Sequence, residues 1–397
     1  VTLFLQDLLT SKKTLIVVGP GGVGKTTTSA ALAVHAARSG LKVLVLTVDP
    51  ARRLANSLGL TELGNDEVEI DPLLFEEAGV PLRSIEGIPA GRLYGMMLDV
   101  KSTFDELIHR HAPSRAVAEK ILANPFYVQA SSALAGSQEY MAMEKLYEIR
   151  QQGKYDLVVL DTPPTSNALD FLSAPDRLED FMGSPTAKLM VQGAKVAGRF
   201  GLGFLKINAL VVRGLNRFIG ADMLLNLLDF VQSFHEMYAG FKERASRVRE
   251  IFRAPDVAFI IVTSTDAAAI DEATFFRTRL VDAQMPLGCV IVNRVRHPYV
   301  TPEALDGLRE AVIAAAPPAG DSSALTRVAE AAEEAARAWS VIAEQDALNL
   351  EDLAMAIGDE TVVLPIPLFS RDIHDIESLA RYGRFIATAI PLKGPAA

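Results

Sequence analysis

Residues Gly19-Pro20-Gly21-Gly22-Val23-Gly24-Lys25-Thr26 fit the pattern G-x-x-x-x-G-K-[ST], and that loop can work only where a strand feeds a helix. Its surroundings supply both. Thr14-Leu15-Ile16-Val17-Val18 is a short apolar run that predicts a buried strand, and the alanine-rich Thr27–Ser39 segment predicts a helix stopped by Gly40. The glycines let backbone N–H groups turn inward around a phosphate, and the helix adds the positive end of its dipole. In that geometry Gly21, Gly22, Val23 and Gly24 line the phosphate. Lys25 reaches its β and γ groups, and Thr26 offers a hydroxyl to Mg²⁺. The loop predicts binding of a nucleoside triphosphate.

The rest of the chain supplies a sheet to carry it. Apolar runs at Thr14–Gly19, Lys42–Val48, Arg92–Leu98, Asp156–Leu160, Val257–Thr263, Gly288–Val292 and Thr361–Pro365 are continuous rather than alternating. Strands of that kind are buried on both faces. They predict an α/β fold: a doubly wound, mostly parallel sheet of seven to eight strands, with ligands at the carboxyl ends. Two acidic residues fall at such ends, Asp49 in Thr47-Val48-Asp49-Pro50-Ala51 and Asp161 in Leu160-Asp161-Thr162-Pro163-Pro164-Thr165. One carboxylate could hold Mg²⁺, directly or through water, while the other orients the attacking water. Each could instead simply cap the following helix.

Between Asn167 and Ile251 the sheet pattern stops. Leu224, Val231, Tyr238 and Ala245 recur every seven residues, as do Leu227, Phe234, Phe241 and Val248. This predicts an amphipathic helix in an apolar helical subdomain, either a greasy binding surface or a layer packed on itself. The expected organisation is a core from 1–166, an insertion at 167–252, and the rest of the core at 253–397 with a helical segment near 301–355. Pro317–Ser323 reads as an exposed linker, followed by a surface helix pair to about Ala347 with no chemistry of its own.

Composition removes other classes. A net charge of −10 with no basic run argues against nucleic acid. Cys289 is the single cysteine, which fits a reducing compartment. The opening residues lack a signal-peptide pattern, and Lys195, Arg199, Lys206 and Arg213 interrupt the greasiest stretch. A soluble cytoplasmic protein, with at most peripheral membrane contact, is expected. His109 and His111 have no third ligand partner in the sequence, so a metal site there is not expected.

Taken together, the loop at Gly21–Thr28, the Asp49-Pro50-Ala51 turn, Asp161-Thr162-Pro163-Pro164-Thr165 and the insertion resemble the ArsA/Get3 ATPases of the SIMIBI class. Ile291-Val292-Asn293-Arg294 and Leu364-Pro365-Ile366-Pro367-Leu368-Phe369 resemble that family's adenine segments. The family includes arsenite-pump subunits and tail-anchored-protein targeting factors. The resemblance implies an Mg²⁺-dependent ATPase. Lys25 and Thr26 would hold phosphates and Mg²⁺, Thr27 would lie on the α-phosphate side, Asp49 would activate water, and Asp161 would sense Mg²⁺ through water. Asn293 and the backbone at Pro365, Ile366 and Pro367 would select adenine. It also implies a dimer whose nucleotide-driven opening and closing moves the apolar subdomain, with an apolar protein or tail-anchored helix as client.

Two departures qualify this. The family's usual loop carries a lysine, acting across the dimer, where this chain has Pro20. The expected partner is therefore a homologous subunit that retains the lysine, with a weakly active homodimer as second choice; a homodimer should hydrolyse slowly unless Arg52 or Arg53 substitutes for the lysine. One cysteine cannot build the family's inter-subunit zinc site or its metalloid site. Two further readings stand beside the ATPase: a nearly inactive, nucleotide-responsive regulatory subunit, and a ParA/MinD-like positioning ATPase.

Overall fold

The computed structural model describes residues 3–49, 52–82, 90–130, 137–163, 226, 230, 246–316, 322–358 and 360–392. Eight strands form one sheet: β1 (Thr14–Val18), β2 (Lys42–Thr47), β3 (Val68–Glu69), β4 (Arg92–Met97), β5 (Leu157–Asp161), β6 (Val257–Thr263), β7 (Leu287–Val295) and β8 (Val362–Pro367). Their order is β3-β4-β2-β5-β1-β6-β7-β8. Every neighbouring pair is parallel except β3 with β4. All seven apolar runs are strands, with ends shifted by a few residues. β3 is two residues long, too short for any periodicity, and forms only by pairing with Gly95 and Tyr94. β8 contains Pro365 and Pro367, which an edge strand tolerates because one side needs no N–H donors.

Successive strand residues point to opposite faces, and each face has its own helical layer. Leu15 and Val17 pack with the N-terminal helix (Leu3–Ser11), the P-loop helix (Lys25–Arg38) and the C-terminal helix (Ile376–Thr388). Ile16 and Val18 pack with helices Val100–His111, Ser137–Gln152, Ala267–Asp282 and the later turns of Ser322–Ile357. This is the doubly wound arrangement. The P-loop helix starts two residues earlier than its alanine pattern suggests, because Lys25 and Thr26 already have helical geometry. Its inner residues Ala30, Ala31, Ala33, Ala36 and Ala37 are fully buried, and these short side chains let it lie close to the sheet.

The segment expected to be a surface helix pair is instead one helix of 36 residues, Ser322–Ile357. No glycine or proline interrupts it before Gly358, whose φ of 79° ends it. Its last turns are not at the surface: Leu353 and Ile357 are fully buried. Residues 317–321 of the expected linker lie outside the described residues. So does most of the insertion, including Leu224, Leu227, Val231, Phe234, Tyr238, Phe241 and Ala245 of its stripe. Val248 is described and is fully buried, and the Phe230 ring stacks on Tyr127 at 6.1 Å. Among the described residues, no helix is long and apolar enough to cross a membrane.

Candidate functional site: a phosphate loop and an adjoining cavity

Strand register assembles the first half of the site. β5 lies between β2 and β1, which sets Asp161 beside both Thr47 and Val17. The loop after β1 then folds over that carboxylate. Thr26 and Thr47 both donate to Asp161 Oδ2, at 2.7 and 2.8 Å, and Ser29 reaches Oδ1 at 3.4 Å. Thr47 Oγ1 also accepts from the backbone N–H of Asp49 at 3.2 Å. One hydroxyl therefore links the Asp161 carboxylate to the backbone of Asp49. Thr47 and Ser29 were not among the expected site residues. The available signal for Thr47 was a polar residue closing an otherwise apolar strand.

Asp161 is fully buried, and burial pushes its carboxyl up to about 6, against the opposing pull of Thr26, Thr47 and Lys25. Lys25 is buried as well. Its ammonium donates to the carbonyl oxygens of Gly19 and Pro20 at 2.9 and 2.8 Å. Burial lowers its pKa, while Asp161, Asp49 and Glu272 act to raise it. Gly19 has φ 147°, and a Cβ there would lie 2.0 Å from the Val262 carbonyl oxygen on β6, so only glycine fits. The donor set suits Mg²⁺: a threonine hydroxyl and a carboxylate, both hard oxygens, beside a loop shaped for phosphate oxygens. Mg²⁺ typically takes few protein ligands and completes its shell with phosphate and water. Asp49 is partly buried. Pro50 and Ala51 of its turn, and Pro164 and Thr165 after Asp161, lie outside the described residues.

The second half is a cavity of about 630 Å³, a size typical of small-molecule sites. Pro20, Gly21, Gly22 and Val23 form one wall, and Arg294, Arg296, Trp339 and Leu368 form another. β7 turns two residues toward this region through a bulge. Its pairing with β8 shifts between Val292 and Val295, and Arg294 has φ 59°. Asn293 is buried and donates from Nδ2 to the Val23 carbonyl oxygen at 2.8 Å, which ties β7 to the P-loop. Ile366 faces the core, while Pro365 and Pro367 are half-buried along β7. Of the β8 end, Leu368 lines the cavity. Arg52 and Arg53 are exposed, with Arg52 3.9 Å from Glu62.

The long helix, expected to carry no chemistry, contributes to this wall. The buried carboxylate of Asp346 accepts from the Arg296 backbone N–H at 2.8 Å and from its Nε at 3.0 Å. Asn349 donates to the Thr265 carbonyl oxygen at 2.8 Å, and the Trp339 indole N–H donates to His297 O at 2.7 Å. These three residues lie on one side of the helix, spaced by seven and then three, and fix it to the ends of β6 and β7.

A family profile described as Anion-transporting ATPase matches residues 12–303. The chain is 24% identical over 297 residues to the protein named ATPase GET3 of Rhodotorula glutinis, covering 74% of each. It is 25% identical over 296 residues to the ATPase GET3 of Malassezia globosa, covering 74% of this chain and 76% of that one. It is also 32% identical over 164 residues to a putative arsenical pump-driving ATPase of Prosthecochloris vibrioformis, covering 41% and 36%.

Proposed function

The chain is a member of the anion-transporting ATPase family, and from that premise we propose that it binds MgATP along the loop and cavity and hydrolyses it at the Asp161 end. The observation that carries this reading is the buried Asp161 carboxylate, whose Oδ2 receives both the P-loop Thr26 and the β2 Thr47. A carboxyl held near 6 by burial gains most from a cation that favours its charged form.

The roles follow from position. The backbone of Gly21–Gly24 cradles phosphate, with Thr27 toward the α-phosphate. Lys25 compensates charge on the β and γ groups, and the carbonyl oxygens of Gly19 and Pro20 hold its ammonium in place. Thr26, and Asp161 through water, are the residues that hold Mg²⁺; when bound, the ion neutralises charge on the β- and γ-phosphate oxygens. Asp49 orients the water that attacks phosphorus, and Thr47 positions the backbone of Asp49. Asn293 and the backbone from Pro365 through Ile366 to Pro367 border the adenine.

The division into a core at 1–166 and 253–397 and a helical insertion at 167–252 remains part of this reading. In it, dimer opening and closing moves the insertion to display or hide an apolar surface, in the cytoplasm. Pro20 offers no cation to a partner's nucleotide, so the reading pairs this chain with a homologous subunit that retains a lysine there.

Asp49→Asn tests the assignment directly. It is expected to bind ATP with near-normal affinity by calorimetry and to lose phosphate release. Normal hydrolysis by this variant would overturn the role of Asp49. Trapped with MgATP, the same variant reports on the partner through the mass and composition of its complex. Rapid turnover by a pure homodimer would overturn the heterodimer.

A further inference from the structure

We propose that Trp339 is the surface on which the nucleotide base stacks, and that it brings the long helix Ser322–Ile357 into the binding site. This rests on the nucleotide reading of the cavity and adds to it a residue outside the matched family segment, 12–303. Trp339 lines the same cavity as Pro20–Val23 of the P-loop. A triphosphate seated on that loop therefore has its sugar and base to place within a space whose wall carries a large aromatic ring.

The indole is held for such a role. Its N–H is taken by His297 O at 2.7 Å, and the ring stacks on Tyr299 at 4.9 Å with 23° between planes. Tyr299 is 76% exposed, so this pair packs at the cavity rim and not in a core. Arg296 lines the same cavity as a cation of fixed orientation. Asp346 accepts from its backbone N–H and its Nε, and its guanidinium Nη2 reaches Thr265 Oγ1 at 3.4 Å. A cavity wall that carries both an aromatic ring and a guanidinium plane suits a flat heterocycle, because both groups offer stacking surfaces to a base. Asn293, tied to Val23 O and to the Arg294 N–H, borders the same site but offers no ring for a base to stack on.

The chain has one tryptophan, so its emission reports on this residue alone. The full chain is titrated with MgATP and, separately, with inorganic tripolyphosphate, following tryptophan emission and binding heat together. The expected result is a saturable emission change with MgATP that tracks the calorimetric curve, and none with tripolyphosphate. Trp339→Ala should weaken ATP about 5- to 150-fold, the range for losing one base–aromatic stack, while tripolyphosphate affinity stays within about twofold. Trp339→Phe should keep most of the ATP affinity. Tripolyphosphate binding also confirms that each variant is folded. ATP binding with unchanged emission and unchanged affinity in Trp339→Ala would overturn the proposal and leave the nucleotide site standing. If the unaltered chain binds neither ligand, the nucleotide reading itself falls, and this inference with it.

Discussion

The two ends of the site are held together differently. At the phosphate end, Thr26 and Thr47 both donate to the buried Asp161, Lys25 donates to the carbonyl oxygens of Gly19 and Pro20, and three adjacent strands fix their positions. At the cavity end the wall is partly exposed. Its Arg296 depends on a helix whose last turns pack in the core and which Asp346, Asn349 and Trp339 tie to the strand ends. The first is rigid because the sheet is rigid. The second can be altered without touching the sheet, so changes there should act on binding and local stability before they act on chemistry.

The largest expected effect is at the phosphate end. Lys25→Ala should lower kcat by about 10²–10³, the range for losing one group that stabilises developing charge, as measured by phosphate release. An equal loss from Asp346→Ala would erase the distinction between the two ends. Asp161 then tests burial against function through pH. Its carboxyl is raised from 3.8 to about 6, so this group favours the folded protein most below about 3.8, and that contribution is lost as pH rises through about 6. Holding Mg²⁺ needs the opposite, charged form. The kcat/KM for hydrolysis, which reports the unloaded protein, should therefore fall as pH drops below about 6, and kcat at saturating MgATP only at lower pH. Asp161→Asn should melt at or above the parent's temperature at pH 7.5 without nucleotide, yet show no hydrolysis. A clearly lower melting temperature would mean that the charged carboxylate stabilises the loop.

Next comes the tether. Asp346→Ala leaves the Arg296 guanidinium without its buried partner and should cost about 1–3 kcal/mol in urea unfolding. The figure is discounted because Arg296 is 30% exposed. ATP should bind more weakly, with kcat little changed at saturation. The smallest effect is expected at the junction of the two ends. Asn293→Ala removes the buried hydrogen bond to Val23 O and the one accepted from the Arg294 N–H, and should cost about 1–2 kcal/mol. A much larger loss of kcat would show that β7 positions the phosphate loop itself.

Legibility follows the same division. The Lys25 and Thr26 pattern, the strand before it and the acidic strand ends at Asp49 and Asp161 could be read because each is local: a loop signature or a carboxylate closing an apolar run. Thr47 was harder. Its neighbours were picked out, but its role depends on β5 inserting beside β2, which no local pattern announces. Trp339 and Asp346 gave no signal. They lie in an alanine- and glutamate-rich helix that reads as surface, and their partners are 42 and 50 residues away.

By itself, the sequence determined the phosphate loop and the class of fold, because glycine geometry, continuous apolar strands and a lysine at fixed spacing are properties of neighbouring residues; the family entered as a resemblance of several short motifs, which the profile match then showed. The tertiary structure alone decided that Thr26 and Thr47 meet on one buried oxygen of Asp161, that β3 closes the sheet edge, and that the long helix forms a wall of the cavity. Those contacts join segments separated by about 25 residues at the sheet edge and by more than 100 at Asp161. Their energy exists only once strand order has been chosen and water excluded, so no stretch of the chain carries it alone.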